Sequence, residues 1–356
     1  MKPQSHTSLV KILLIMITTV LVMTGCSSSN NSNGGDEKAF ISNNDQVQLT
    51  LAKSWVEDPD LSKQAILGLS ERKKEKYVMV NTVAKSDLAD DFTLADYKSL
   101  FIDTTLPSVK DFEESNNKEI IVDSAQALLF EISGEVQKVK VHYLVALLEK
   151  GDSFYQIVTW STKSKFDSNK QELLKAIESL KILKETPPAS ATASESANSS
   201  KDDDGHAETT TMTSDDKKIE ITLPAYMSKE LELSPIADIQ ASRSLQEEYM
   251  MVIREDKGEF ADNITLNDYY DAIIANMTES LVNSSQTEPQ DIQINGQPAL
   301  QFELSGEVDK IKISYLLTLV ETDGNFNQLL FWTLQNRMDD KREMFIEAAS
   351  TFTEVQ

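Results

Sequence analysis

The chain has 356 residues, with one cysteine, three histidines, 34 basic and 58 acidic side chains, a net charge of −24 and a sequence pI near 4.5. A single cysteine excludes a disulfide framework, an iron–sulfur cluster and every cysteine-based zinc site. The acidic balance excludes a nucleic-acid binder, which needs a basic surface for phosphate; 40% hydrophobic residues over this length support about two domains.

Lys2 and Lys11 precede an uncharged run, Ile12 to Val22. At ~1.5 Å per residue that run reaches only ~16 Å, about half of a ~30 Å hydrocarbon core, so it fits a signal-peptide core better than a spanning helix. It ends in Met23-Thr24-Gly25-Cys26, which resembles the lipobox of bacterial lipoprotein precursors, although these usually carry Leu where Met23 stands. The resemblance implies a signal peptide over 1–25, cleavage after Gly25 and acylation (palmitate included) of Cys26. The mature protein would then be lipid-anchored to the cell membrane on its extracytoplasmic face, because two acyl chains hold where one is marginal. Ser27 to Gly35 opens a polar tether drawn here over 26–46. A secretory signal with a chance cysteine, or an uncleaved anchor, is the alternative.

Residues 47–184 lie over 219–356 at a constant offset of 172, with 39 of 138 positions identical. The clearest stretch pairs Phe130-Glu131-Ile132-Ser133-Gly134-Glu135-Val136 with Phe302-Glu303-Leu304-Ser305-Gly306-Glu307-Val308. A register held over that length implies two homologous domains. Between them, residues 185–218, beginning Glu-Thr-Pro-Pro-Ala-Ser, contain almost nothing that could enter a core and read as a disordered acidic, Ser/Thr-rich linker.

Within a repeat, Tyr77 to Val83 reads as a strand. Thr93-Leu94-Ala95-Asp96 opens a helix, with Thr93 as cap and Asp96 where the helix N-terminus favours negative charge. In the second repeat Leu266, Tyr269, Ile273, Met277 and Leu281 share one helical face. Strands follow at about 126–133, 138–148 and 154–161, with turns expected at Gly134 and at Lys150-Gly151-Asp152, so neighbours pair antiparallel. A closing helix over about 167–181 buries Leu173, Leu174, Ile177 and Leu180. Phe326 to Trp332 is apolar on both faces over most of its length, which implies cover on both sides of the sheet. The expected fold is α+β: two tandem α/β/α sandwiches, each a mainly antiparallel sheet covered by helices.

Leu223-Pro224, Gly296-Gln297-Pro298-Ala299 and Trp332, with Trp55, Ala127 and Trp160 in the first repeat, resemble the PsbP-like superfamily, and within it the DcrB-like bacterial lipoproteins. Ala52 stands where Pro224 does, Ser124 where Gly296 does and Met227 where Trp55 does. The resemblance implies an envelope protein that binds or assembles and does not catalyse.

Motifs for chemistry are sparse. His6 leaves with the signal, His206 sits among Asp202, Asp203, Asp204 and Glu208 in the linker, and His142 lies on a strand with neither nucleophile nor orienting acid assignable. His142 reads as a surface or edge residue. No dinucleotide, Walker, zincin or nucleophile-elbow pattern occurs; no catalytic residue, metal ligand or cofactor is expected. Phe154, Gln156, Val158 and Trp160, like Phe326, Gln328, Leu330 and Trp332, share a strand face and form either core or an aromatic pocket with a polar handle. Glu131, Glu135, Lys138 and Lys140, matched by Glu303, Glu307, Lys310 and Lys312, read as cross-strand pairs on a wet face or as a partner-binding edge. The expected binding set is Glu135, Lys138, Lys140, Glu307, Lys310 and Lys312. The first repeat carries 19 basic and 22 acidic groups, the second 9 and 25. Together these readings describe a non-enzymatic module that binds an envelope protein; a small-ligand-binding lipoprotein accessory to a transporter is the alternative.

Overall fold

The computed structural model describes residues 37–105, 109–184, 208–229, 232–243 and 246–354, so Gly25, Cys26 and most of the tether and linker lie outside the described residues. The chain divides into two compact units. In the first, β1 (Glu37–Ile41), β2 (Val47–Ala52), β3 (Val56–Glu57), β4 (Leu67–Glu71) and β5 (Lys76–Ala84) precede helix α1 (Leu94–Thr105). Strands β6 (Lys110–Val122), β7 (Ala125–Val136), β8 (Val139–Lys150) and β9 (Ser153–Thr162) lead into α2 (Lys163–Glu178) and β10 (Lys181–Ile182). These form a seven-stranded sheet, β3-β4-β5-β9-β8-β7-β6, and a three-stranded sheet, β1-β2-β10, with antiparallel pairing throughout.

The second unit runs β11 (Thr209–Thr213), β12 (Ile219–Pro224), β13 (Ile239–Arg243), β14 (Glu248–Asp256), α3 (Leu266–Glu279), β15 (Val282–Gln286) and β16 (Gln290–Ile294). It continues with β17 (Gln297–Val308), β18 (Ile311–Glu321), β19 (Asn325–Leu334), α4 (Met338–Ser350) and β20 (Thr353–Glu354). Its large sheet is ordered β13-β14-β19-β18-β17-β15, with β16 also on β17, and its small one β11-β12-β20.

The expectation of α+β sandwiches covered by helices is corrected: among the described residues strand makes up 52% and helix 23%, in four sheets and four α-helices with short 3-10 turns. In the first unit Phe40, Val47, Leu49 and Leu51 of the small sheet share one core with Leu67, Val78, Val80 and Leu144 of the large sheet and with Phe166, Leu173 and Ile177 of α2. A second sheet therefore lines that core beside the helix. The second unit does the same with Ile219, Ile221 and Leu223 against Phe331, Phe345 and Ala349. Helical periodicity in a long segment is visible in sequence, whereas β1 and β11 bring one inward side chain or fewer each to the core. For the same reason β1 and β11 fall inside stretches whose composition reads as tether and linker.

Three further differences are local. Gly134 is not a turn but lies inside β7, where a Cβ would sit 2.3 Å from Val109 Cγ1 and 2.9 Å from the Lys110 carbonyl oxygen. The turn falls at Gln137-Lys138, with both φ values positive, and at Asp309-Lys310 in the second unit, the mirror-image geometry that suits the twist of paired strands. Strand β6 gave no apolar signal because it is an edge strand rich in charge and broken by register shifts, features that blunt an open sheet edge. Gly296 occupies a hairpin tip at φ +83, and Ser124 takes φ +67 at the matching tip, so that departure from the family pattern leaves the turn intact.

Candidate functional site

The Thr-Leu-x-Asp-Tyr motif starts each of α1 and α3. Thr265 accepts from the Asp268 backbone N–H (3.1 Å), Asp268 accepts from that of Thr265 (2.9 Å), and Thr93 with Asp96 forms the same reciprocal cap (3.2 and 2.8 Å). The tyrosine that follows turns onto the aromatic strand. Tyr97 donates to Gln156 Oε1 (3.3 Å) and packs on Phe154 with centroids 5.2 Å apart; Tyr269 stacks on Phe326 at 4.4 Å and accepts from Gln328 Nε2 (2.8 Å). Phe154, Gln156, Val158 and Trp160 are all buried, as are Phe326, Gln328, Leu330 and Trp332. This face is core, and the glutamine is satisfied by a side-chain hydroxyl. Tyr269 in turn donates to Glu255 Oε2 (2.5 Å).

The charged residues of the paired strands separate into two groups, and the six expected binding residues all fall in the first. Glu135 stands opposite Lys140 across β7–β8 and Glu307 opposite Lys312 across β17–β18, with Lys138 and Lys310 in the adjoining turns. Lys138 and Lys140 are exposed; Glu135, Glu307, Lys310 and Lys312 are half-buried. Glu131 and Glu303 are not on a wet face with them, because a helix crosses each. Glu131 is 5% exposed; Lys170 of α2 lies 2.7 Å from its Oε1 and His142 Nε2 2.9 Å from its Oε2. At the matching place Arg342 of α4 grips Glu303, with its second nitrogen at 3.1 Å. His142 is not a plain surface residue: its ring stacks on Phe166 with centroids 3.7 Å apart and planes 2° from parallel. Burial holds its pKa below the usual 6.5 despite the raising influence of Glu131. For Glu131, burial opposes ionisation, but the hydrogen bonds from Lys170 and Asn116 keep its carboxyl below the usual range. These carboxylates bolt helix to sheet.

An open site lies instead at one end of the second unit, where the β16–β17 tip, the β18–β19 turn and β20 meet. A cleft of about 500 Å³ is lined by Ile294, Asn295, Gln297, Thr322, Asp323, Gly324, Phe352, Thr353 and Glu354. Asn325 and Asn327 donate to Glu354 (2.5 and 3.4 Å), Asn295 donates to the Phe352 carbonyl (2.7 Å), and Lys257 pins the turn through the Thr322 carbonyl (2.6 Å). Both charged lining residues are acidic. The first unit builds a brace at these positions. Asp123 takes an ion pair from Lys150 (2.6 Å) and one from Lys181 (3.0 Å), and accepts from the Ile182 backbone N–H (2.9 Å). Burial opposes ionisation of Asp123, but these bonds hold its pKa below the usual carboxylate range. The 172-residue offset replaces Asp123, Lys150, Lys181 and Ile182 by Asn295, Thr322, Thr353 and Glu354, so both lysines are gone. Aligning the repeats and comparing charged positions would have found this difference; only the fold shows that the four positions converge. Among the described residues no group of three or more His, Cys, Asp or Glu is arranged to hold a metal ion, and no helix is long and apolar enough to cross a membrane.

No protein-family model and no curated protein matches this sequence. Among solved structures it is similar to a cyanobacterial PsbP from Synechocystis (17% identity, 42% of this chain and 94% of that chain, TM-score 0.33). It is also similar to LpqN of Mycobacterium tuberculosis, described as involved in cell envelope biogenesis (11%, 42% and 91%, 0.31). A third is the immunity protein TplEi of the Pseudomonas aeruginosa type VI secretion system (8%, 89% and 97%, 0.25). At these identities and scores the likenesses establish no shared family and no shared activity.

Proposed function

We propose that the protein is a lipid-anchored, non-enzymatic binding module on the extracytoplasmic face of the cell membrane, engaging an envelope protein through its second unit. The cleft between Asn295, Thr322 and Glu354 carries this reading. Its wall offers carboxylates, hydroxyls and amide oxygens, and among the described residues no basic side chain lines it. Such a wall suits a lysine or arginine side chain projecting from a partner. With 9 basic groups against 25 acidic, the second repeat attracts a cationic surface over about a Debye length, ~8–10 Å at ordinary salt. The leader and Cys26 supply the anchor in this reading.

The test is crosslinking in intact cells, comparing wild type, Cys26→Ala and the triple variant Asn295→Asp/Thr322→Lys/Thr353→Lys, which rebuilds the aspartate and both lysines of the first unit's brace. Wild type should yield one dominant envelope protein. The braced variant should stay in the membrane fraction and lose that partner, and Cys26→Ala should leave the membrane fraction. Equal capture by the braced variant would remove the cleft from the proposal. The cleft volume also falls within the ~300–1,000 Å³ of small-ligand sites, which favours the transporter-accessory reading as the second choice. A metabolite co-purifying with wild type and absent from the braced variant would select it.

A further inference from the structure

The C-terminal helices of the two repeats bury the same apolar positions: Phe166, Leu173, Ala176 and Ile177 of α2 fall on Met338, Phe345, Ala348 and Ala349 of α4 at the 172-residue offset. Apolar docking alone discriminates weakly between the two sheets. Beside each interface, however, a charged cluster has reversed its sign. In the first unit Lys76, fully buried, sits 2.5 Å from Glu71 on the neighbouring strand and pairs with Glu172 of α2. The offset turns Glu71 and Lys76 into Arg243 and Glu248, again neighbours across paired strands. Glu248 is equally buried, and Lys341 of α4 lies 2.6 Å from it. The helix residues follow suit: Glu172 becomes Met344, and Asn169 becomes Lys341. The aromatic neighbour also moves with the cation, from Trp55 under Lys76 (5.2 Å) to Tyr226 under Arg243 (4.5 Å).

We infer that this inverted pair is a matching code that keeps each C-terminal helix on its own sheet. Repeats joined in one chain are prone to misassembly, because the wrong partner is always near at hand. With α2 on the second sheet, Glu172 would face Glu248 and Lys341 would be missing. With α4 on the first sheet, Lys341 would face Lys76 and Glu172 would be missing. On the second sheet Glu248 would lose the lysine that reaches it from the helix. On the first, Lys76 keeps Glu71 but exchanges the Glu172 carboxylate for an ammonium. Each buried charge thus loses its helix-borne partner, and the wrong docking is disfavoured even where the apolar faces fit.

The experiment uses the full chain. A variant with copy-2 charges in the first unit (Glu71→Arg, Lys76→Glu, Asn169→Lys, Glu172→Met) makes both sheets accept either helix. On refolding from denaturant, the fraction trapped in non-native form should rise several-fold over wild type, independently of protein concentration. A trapped fraction equal to wild type would overturn the code. Should that variant not fold, the cycle of Glu248→Lys, Lys341→Glu and their combination decides. Each single reversal should raise the unfolding equilibrium constant about a hundredfold or more, and the double reversal should recover most of that loss. Additive effects would refute the matching.

Discussion

Tyr97→Phe removes one oxygen and no packing, so it isolates the buried hydrogen bond to Gln156. Tyr97 is 0% and Gln156 3% exposed, so no water can replace the lost donor without a cavity to hold it. A buried acceptor left unsatisfied costs about 1–3 kcal/mol. For a domain of this size that corresponds to a fall in Tm of roughly 3–12 °C. The assay is thermal and urea unfolding of the full chain, with Gln156→Leu and the double variant completing a cycle. Because removing both partners leaves no orphaned group, the double variant should be more stable than the sum of the single losses predicts, with a coupling of about 0.5–3 kcal/mol. Tyr269→Phe offers an internal contrast. Removing that hydroxyl loses the charge-assisted bond to Glu255, about 1.5–3 kcal/mol, and the bond accepted from Gln328, about 0.5–1.5 kcal/mol, but orphans neither partner, because Gln328 still donates to Glu255 at 2.8 Å. Additive behaviour of Tyr97→Phe and Gln156→Leu within ~0.3 kcal/mol would refute the reasoning.

Acid should unfold the first unit from below about pH 4. Burial opposes ionisation of Asp58, Glu71, Glu114 and Asp123, but bonds from Arg72, Lys76, Lys98 and Lys150 hold their carboxyls below the unfolded values of ~4. Their contribution is therefore complete above that range and is lost as pH falls through the lowered values; circular dichroism across pH 2–6 tests it, and a flat trace refutes it. The His142 imidazole should titrate below 6.5 by NMR, and lower still in Glu131→Gln, since the anion is what raises it; a rise in that variant would contradict the geometry. Gly134→Ala should cost about 1–3 kcal/mol by crowding Val109 and the Lys110 carbonyl, whereas Gly306→Ala, 3.0 Å from Leu281 Cβ, should cost less. Equal losses in urea melts would show that the approach of chain to β7 is not what reserves these positions for glycine.

The amino-acid sequence by itself determined the two-fold repetition, the antiparallel succession of strands around β7–β9, the capped starts of α1 and α3, and the buried faces of the closing helices. Each is a local matter of period, cap or turn, or a comparison of the chain with itself. Only the tertiary structure decided that a second sheet lines each core, because β10 joins β2 from more than a hundred residues further along the chain and these strands are too short to signal on their own. It likewise decided that Glu131 is a bolt while Glu135, four residues on, is not. Strand alternation puts both on one face, but whether that face is wet depends on where α2 crosses, and α2 sits on Glu131 through Lys170. The cleft is the same kind of fact. Asn295, Thr322 and Glu354 are unremarkable in a linear reading and acquire meaning only because three separate turns and strands end side by side, at a place where the other repeat sets two lysines against an aspartate.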